Sequence, residues 1–281
     1  MQKFNFHTHT FFCDGNSEPE TYVKQAIALG FHSLGFSGHA PIPLENGFAI
    51  KEEELSDYCD SIRRLCEKYK DEIQIYLALE IDYIPGITKN FHDFSNSCKL
   101  DYTIGSVHLV ANQENHKLWF IDGGNIAKYD NGLHEIFNND IRIAVKTYYQ
   151  QIMQMIITQN PDIIGHFDKI KMNNKDRFFT QDEDWYKDIL KETIAVIKEQ
   201  GSIVEVNTRG LYKKRSDELF PGISILQELQ KRNIPVTISA DAHKPEELDL
   251  FFDETAIILK EIGFKTVMVF DKGEWKEEVI I

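Results

Sequence analysis

Close to its start the chain reads FHTHT, and Asp14 follows in CDG. His7 and His9 are one residue apart, so on an extended strand both imidazoles project to the same side. Such a pair suits one metal ion. Further imidazoles and carboxylates recur down the chain: His39 in FSGHAP, Glu80 in LALEID, His108 in GSVH, His166 in IIGH, and Asp241 and His243 in ISADAH. Glu80 stands between Leu79 and Ile81, and Asp241 between Ala240 and Ala242. A carboxylate buried among apolar neighbours must be paired or hold a metal. Six histidines and two carboxylates are more than one zinc ion uses with its usual four ligands. Mixed nitrogen and oxygen donors without cysteine suit Zn, Mn or Fe in an open site. Two or three divalent ions fit the count, with one carboxylate shared by a pair. Closely spaced ions of this kind activate a hydroxide and hold phosphate oxygens.

These residues need a scaffold that brings them together. Short β-rich runs recur at 3–7, 33–38, 73–81, 102–107, 162–166, 203–207, 236–240 and 266–270. Amphipathic stretches lie between them, at 52–70, 139–159, 182–200, 221–232 and 245–262. In the first helix, Ser17 and Glu20 form a capping-box pattern, with Tyr22, Val23, Ala26, Ile27 and Leu29 on one apolar face and Gly30 as its stop. Alternating β and α segments point to a parallel sheet or barrel. The candidate residues all fall where these runs end. In a barrel the C-terminal strand ends converge on one face, where active sites sit. Segments 83–100 and 109–138 are less regular. The second, with ANQENHK and GGNIAKYDNG, is expected as a loop excursion over the active-site face. Residues 1–281 are taken as one domain.

Composition narrows the function classes. The 281 residues carry 31 Lys and Arg against 45 Asp and Glu, a net charge of −14. That balance speaks against a nucleic-acid partner, which calls for a basic face. The four cysteines, Cys13, Cys59, Cys66 and Cys98, form no CxxC pair and are read as reduced thiols. No apolar run approaches the ~20 residues of a membrane span. The start MQKFNFHTHT has no apolar signal core. A cytoplasmic protein with no membrane partner is expected; the sequence leaves the oligomeric state open.

The ordered set FHTHT, SGHAP, LALEIDYIPG, GSVH, GHFD, VEVNTRGLYK and SADAHKP resembles the PHP (polymerase and histidinol phosphatase) metal-dependent phosphoesterases, most closely the histidinol-phosphatase branch. The resemblance runs from His7 to His243. It implies a distorted (β/α)7 TIM-like barrel. It also implies hydrolysis of L-histidinol phosphate, a small phosphomonoester, to L-histidinol and phosphate in histidine biosynthesis. By position it places His7, His9, Glu80 and Asp241 on a first metal. Glu80 bridges to a second held by His108 and His166, and His39 and His243 hold a third. Many relatives supply one more histidine to the third site; here Asp14 stands in its place, as a ligand or as a turn residue in Asp-Gly.

The expected chemistry is in-line attack on phosphorus by a hydroxide between the first two metals, with Asp241, His243 or a water at the third metal protonating the leaving group. Arg209, after Asn207 in VEVNTRG, is the first candidate for a phosphate clamp, followed by Lys169 and Arg177. Lys171, Lys213, Lys214 and Arg215 are read as solvated loop charges. Phe48, Tyr83 and Tyr212 are candidates for the imidazole end of the substrate. Another PHP phosphoesterase, acting on a different small phosphomonoester or a nucleotide, is the alternative. An amidohydrolase-type C–N hydrolase and a non-enzymatic metal-binding barrel stand behind it. His32, His92, His116 and His134 are read as surface or structural.

Overall fold

A computed structural model of the chain describes residues 2–280. Its strands are β1 (Lys3–Asn5), β2 (Phe31–His39), β3 (Gln74–Asp82), β4 (Tyr102–Ser106), β5 (Leu109–Ala111), β6 (Leu118–Phe120), β7 (Ile163–Ile164), β8 (Ile203–Asn207), β9 (Val236–Ser239), β10 (Thr266–Asp271) and β11 (Glu274–Val279). The helices are α1 (Pro19–Ala28), α2 (Leu55–Lys68), α3 (Phe91–Cys98), α4 (Ile126–Phe137), α5 (Ile141–Gln159), α6 (Lys171–Asn174), α7 (Asp184–Gln200), α8 (Arg209–Tyr212), α9 (Ile223–Lys231) and α10 (Phe252–Ile262).

Seven strands form one parallel sheet in the order β1-β2-β3-β4-β7-β8-β9. The ring closes just past the strand ends. There Thr8 bridges Ala242, with His9 N–H donating to Ala242 O at 2.8 Å and Ala242 N–H to His7 O at 3.0 Å. This is a distorted (β/α)7 barrel. The sheet residues are almost all buried, as expected for strands covered on one face by helices and filled on the other. One apolar cluster runs from Phe4 to Ile280.

The run at 266–270 forms a strand but does not join the ring. β10 pairs with β11 as an antiparallel hairpin. Trp275 seats against Phe6, Tyr102 and Phe270. Asp271 meets His32 and Gln74, and Lys272 N–H donates to Gln74 and Tyr76. These partners begin β2 and β3, so the hairpin covers the end of the barrel opposite the strand ends of interest.

Two local expectations change. The first helix starts at Pro19, with Glu18 as N-cap and no side-chain cap. Proline at N1 presets φ and needs no N–H partner. Glu20 is thereby free to accept from Lys68 and from the Tyr69 hydroxyl, at 2.7 and 2.6 Å. Segment 109–138 is not a long loop. It folds as the β5–β6 hairpin followed by α4, held by fully buried Trp119 against Tyr129 and Phe137. The short apolar run Leu118–Phe120 was hidden between two polar turns. Segment 83–100 likewise contains α3, capped by Asn90.

Candidate metal centre

Strand register sets the first contacts. His39 closes β2 directly beside Glu80 of β3. His7 and His9 follow β1, with ring centroids 5.0 Å apart. His108 follows β4, His166 follows β7, and Asp241 and His243 follow β9. Asp241 adopts φ +52°, a left-handed conformation that Asp tolerates better than most residues. Beyond His9 the chain turns sharply, as Cys13 and Gly15 N–H both donate to Thr10 O at 3.0 Å. A Cβ at Gly15 would lie 2.5 Å from the His9 carbonyl, so only glycine fits. This turn swings Asp14 back over the histidines: its Oδ1 lies 3.1 Å from His243 Nε2, 3.7 Å from His9 Nδ1 and 3.8 Å from His39 Nε2. Asp14 is therefore a turn residue and a member of the cluster at once.

Glu80 is the hub. Its Oε2 lies 3.2 Å from His7 Nε2, 3.5 Å from His9 Nε2 and 3.1 Å from His39 Nδ1. Its Oε1 faces the other way, 3.1 Å from His166 Nε2 and 3.7 Å from His108 Nε2, and accepts from Ser106 at 2.6 Å. One carboxylate thus addresses two separate groups of imidazoles through its two oxygens. Asp241 Oδ1 lies 3.3 Å from His9 Nε2 and 3.8 Å from His7 Nε2. The ligand atoms fall into three groups, each within 4.8 Å: His7, His9 and Asp241; His39, Glu80 and His108; and His9, Asp14, His39 and His243.

The donor chemistry fits divalent cations. His7 Nε2, His9 Nε2 and His39 Nδ1 are buried and make no hydrogen bond. Buried polar atoms are rarely left so unless an ion or water serves them. Burial and the neighbouring His243 and His39 push the His9 imidazole down to about 3, which keeps it neutral for ligation. Burial pushes the Glu80 carboxyl up, but His7, His39 and His108 outweigh it and hold it well below the usual range.

A ring of partners behind these groups was missed from the sequence. Glu205 accepts from His7 Nδ1 at 2.5 Å and from His166 N–H at 2.7 Å, and also bonds Ser239 and Asn207. Asp82 accepts from His108 N–H at 2.8 Å. Both were findable by the criterion that singled out Glu80: Glu205 stands between Val204 and Val206, and Asp82 follows Ile81 in the same strand.

Over the cluster lies a cavity of about 170 Å³. Phe48 forms one wall, edge-on to His39 at 5.0 Å and stacked on Phe120 at 6.1 Å. Lys169 reaches in from the other side, 3.2 Å from Asp122 and 3.8 Å from Asp241. Arg209 lines the cavity while donating to Asp241 O at 2.7 Å and to the Tyr212 hydroxyl at 3.0 Å. His166 does not line the cavity and is buried against Glu80 Oε1. Asp122 and Arg215 also line the cavity. Asp122 was hidden in a segment taken for loop, and Arg215 was read as a solvated charge.

Three sequence candidates lie elsewhere. Arg177 makes a bidentate pair with Asp130, at 2.7 Å on each arm, and stacks on Phe178 outside the cavity. Local charge complementarity claims it first. Tyr83 is buried against Phe91. Tyr212 stands behind Arg209, its hydroxyl donating to Ala240 O at 2.9 Å, and braces that arginine instead of facing the cavity. A larger cavity of about 780 Å³ between α2 and α3 contains none of the clustered residues.

Comparison with known proteins agrees with this geometry. The chain is 26% identical over 265 residues to a Deinococcus radiodurans protein named "Probable histidinol-phosphatase", covering 93% of this chain and 94% of that protein. It is 24% identical to the histidinol-phosphatase of Bacillus subtilis, covering 90% and 98%. The solved histidinol phosphate phosphatase of Lactococcus lactis, complexed with Zn, L-histidinol and phosphate, superposes with a TM-score of 0.71 at 20% identity, covering 98% of this chain and 99% of that one. At that identity the likeness is one of fold. The PHP domain family matches residues 5–209. With its HTH start, its two-sided glutamate and its strand-end histidines all inside or just beyond that span, the chain belongs to the PHP domain family.

Proposed function

We propose that this protein is a metal-dependent phosphomonoesterase that hydrolyses L-histidinol phosphate to L-histidinol and phosphate. The observation that carries the reading is Glu80, whose two oxygens face separate imidazole groups on the floor of a cavity lined by cations. The named activity of full-length relatives, among them a neighbour complexed with L-histidinol and phosphate, supplies the substrate.

His7, His9, Glu80 and Asp241 would hold one ion, His108 and His166 with the other arm of Glu80 a second, and His39, His243 and Asp14 a third. Divalent ions there, zinc, manganese or iron, supply Lewis acidity and lower the pKa of the attacking water. The chain's own residues do the rest. Arg209, its guanidinium braced by Tyr212 and Asp241 O, directs positive charge at the phosphoryl oxygens. Lys169 does so from the opposite wall. Lys169 is buried and Arg209 mostly so, which leaves their charge little screened. Asp241 and His243 stand beside the cavity where a proton must reach the leaving oxygen. Phe48 and Phe120 offer an aromatic face to the imidazole, and Asp122 a carboxylate to the cationic end of the leaving group. With all four cysteines free of disulfides, a cytoplasmic setting accompanies this reading.

The test is a panel of phosphomonoesters with the Zn- or Mn-loaded protein. Histidinol phosphate is expected to give the highest kcat/KM. Faster turnover of a nucleotide would overturn the substrate assignment and leave the phosphatase assignment standing.

A further inference from the structure

The cavity contains three cations, and they are not equivalent. Lys169 is engaged by Asp122. Arg209 spends one arm on Asp241 O and Tyr212. The guanidinium of Arg215 has no carboxylate partner and donates no hydrogen bond among the described residues, although it is only partly exposed. Its backbone is nonetheless fixed. Arg215 N–H donates to Gly210 O at 2.9 Å, Lys214 N–H to Leu211 O at 2.9 Å, and Lys214 takes φ +55°. This tight turn after α8 aims the side chain back at the cavity mouth.

There the guanidinium lies over the Gly123–Gly124 loop. A Cβ on Gly124 would stand 3.7 Å from its terminal nitrogen. It is also the single residue shared by the catalytic cavity and an adjoining cavity of about 450 Å³ whose lining mixes Lys171, Lys175 and Lys214 with Asp176, Asp217 and Glu218. An uncommitted guanidinium on a fixed backbone at a cavity mouth, in a chain of net charge −14, is available to an anion. It needs to break no ion pair to form a bidentate contact with a phosphoryl group.

We propose that Arg215 binds the phosphoryl group of substrate and product directly, closing the mouth opposite the ligand cluster and setting KM. This inference rests on the phosphomonoesterase reading above. It assigns Arg215 to capture and retention of the anion, and leaves transition-state stabilisation to the groups deeper in the cavity.

The experiment compares R215Q and R215K with wild type, all loaded with metal. R215Q is expected to raise KM for histidinol phosphate, and the Kd for inorganic phosphate by calorimetry, by roughly 10- to 100-fold, the loss of one charge-assisted contact. kcat should stay within about threefold and bound metal should be unchanged, because Arg215 touches no ligand residue. R215K, with charge but no fork, should fall between. KM and phosphate Kd within about twofold of wild type in R215Q would overturn the inference, as would a fall in kcat with phosphate affinity intact. A wild-type protein that binds phosphate through Arg215 yet hydrolyses no phosphomonoester would sink the function and spare this inference.

Discussion

Nδ1 of His7 donates to Glu205 Oε1 at 2.5 Å, while Nε2 of the same ring lies 3.2 Å from Glu80 Oε2. The outer carboxylate fixes the tautomer, so the inner nitrogen carries the lone pair a cation needs. Burial pushes the His7 imidazole down, but Glu205, Glu80 and Asp241 outweigh it and hold it well above its ordinary value, so without a cation Nε2 holds a proton that metal binding must displace. Glu205→Gln keeps the shape and removes the charge. The expected result is a loss of roughly 10- to 100-fold in metal affinity or kcat/KM. Metal titration of the apo protein, followed by assay, checks it.

Removing a hub ligand should cost more. Glu80→Ala and His9→Ala are each expected to abolish phosphatase activity and bound metal together, since His9 belongs to two groups of ligand atoms and the two oxygens of Glu80 face separate imidazoles. Elemental analysis beside a phosphate-release assay reads both quantities. Chelation of wild type should lower Tm as well, because an ion that binds only the folded state stabilises it by mass action. Activity that survives without metal would overturn the mechanism.

Asp14 separates two roles. Asp14→Ala is expected to remove about one metal ion per chain and leave the deeper ions in place, because Asp14 touches only the outermost group. An unchanged metal count would reduce Asp14 to its turn.

Arg177→Gln provides the contrast. Its pair with Asp130 is on the surface, so the change should leave kcat and KM near wild type and cost about 0–1 kcal/mol in stability. Urea unfolding and steady-state kinetics together test this.

The cavity wall depends on packing far from the ligands. A Cβ at Gly132 would fall 2.2 Å from the ring of Trp119, which is fully buried between β6 and α4. Gly132→Ala must displace that ring, at a cost of about 1–3 kcal/mol. A lowered Tm and a raised KM are expected, because Phe120 and Asp122 continue from Trp119 into the cavity.

The types and intervals of the ligand residues were legible in the sequence. So was a parallel sheet or barrel, since β-rich and amphipathic runs alternate, and the motif resemblance implied the barrel. That much follows from chain periodicity, which is local. Which cations line the cavity is not local. Arg177 and Arg215 look alike in the sequence, each a basic residue in a polar loop. Asp130 of α4 captures the first, and the turn after α8 turns the second inward. Likewise the 109–138 segment, expected over the active-site face as loop, shows its hairpin and helix only once Trp119 is buried against α4. The sequence determined which imidazoles and carboxylates cluster, because backbone alternation and strand order act along the chain. Tertiary structure alone decided which charges line the cavity, because ion pairing and burial depend on residues far apart in sequence.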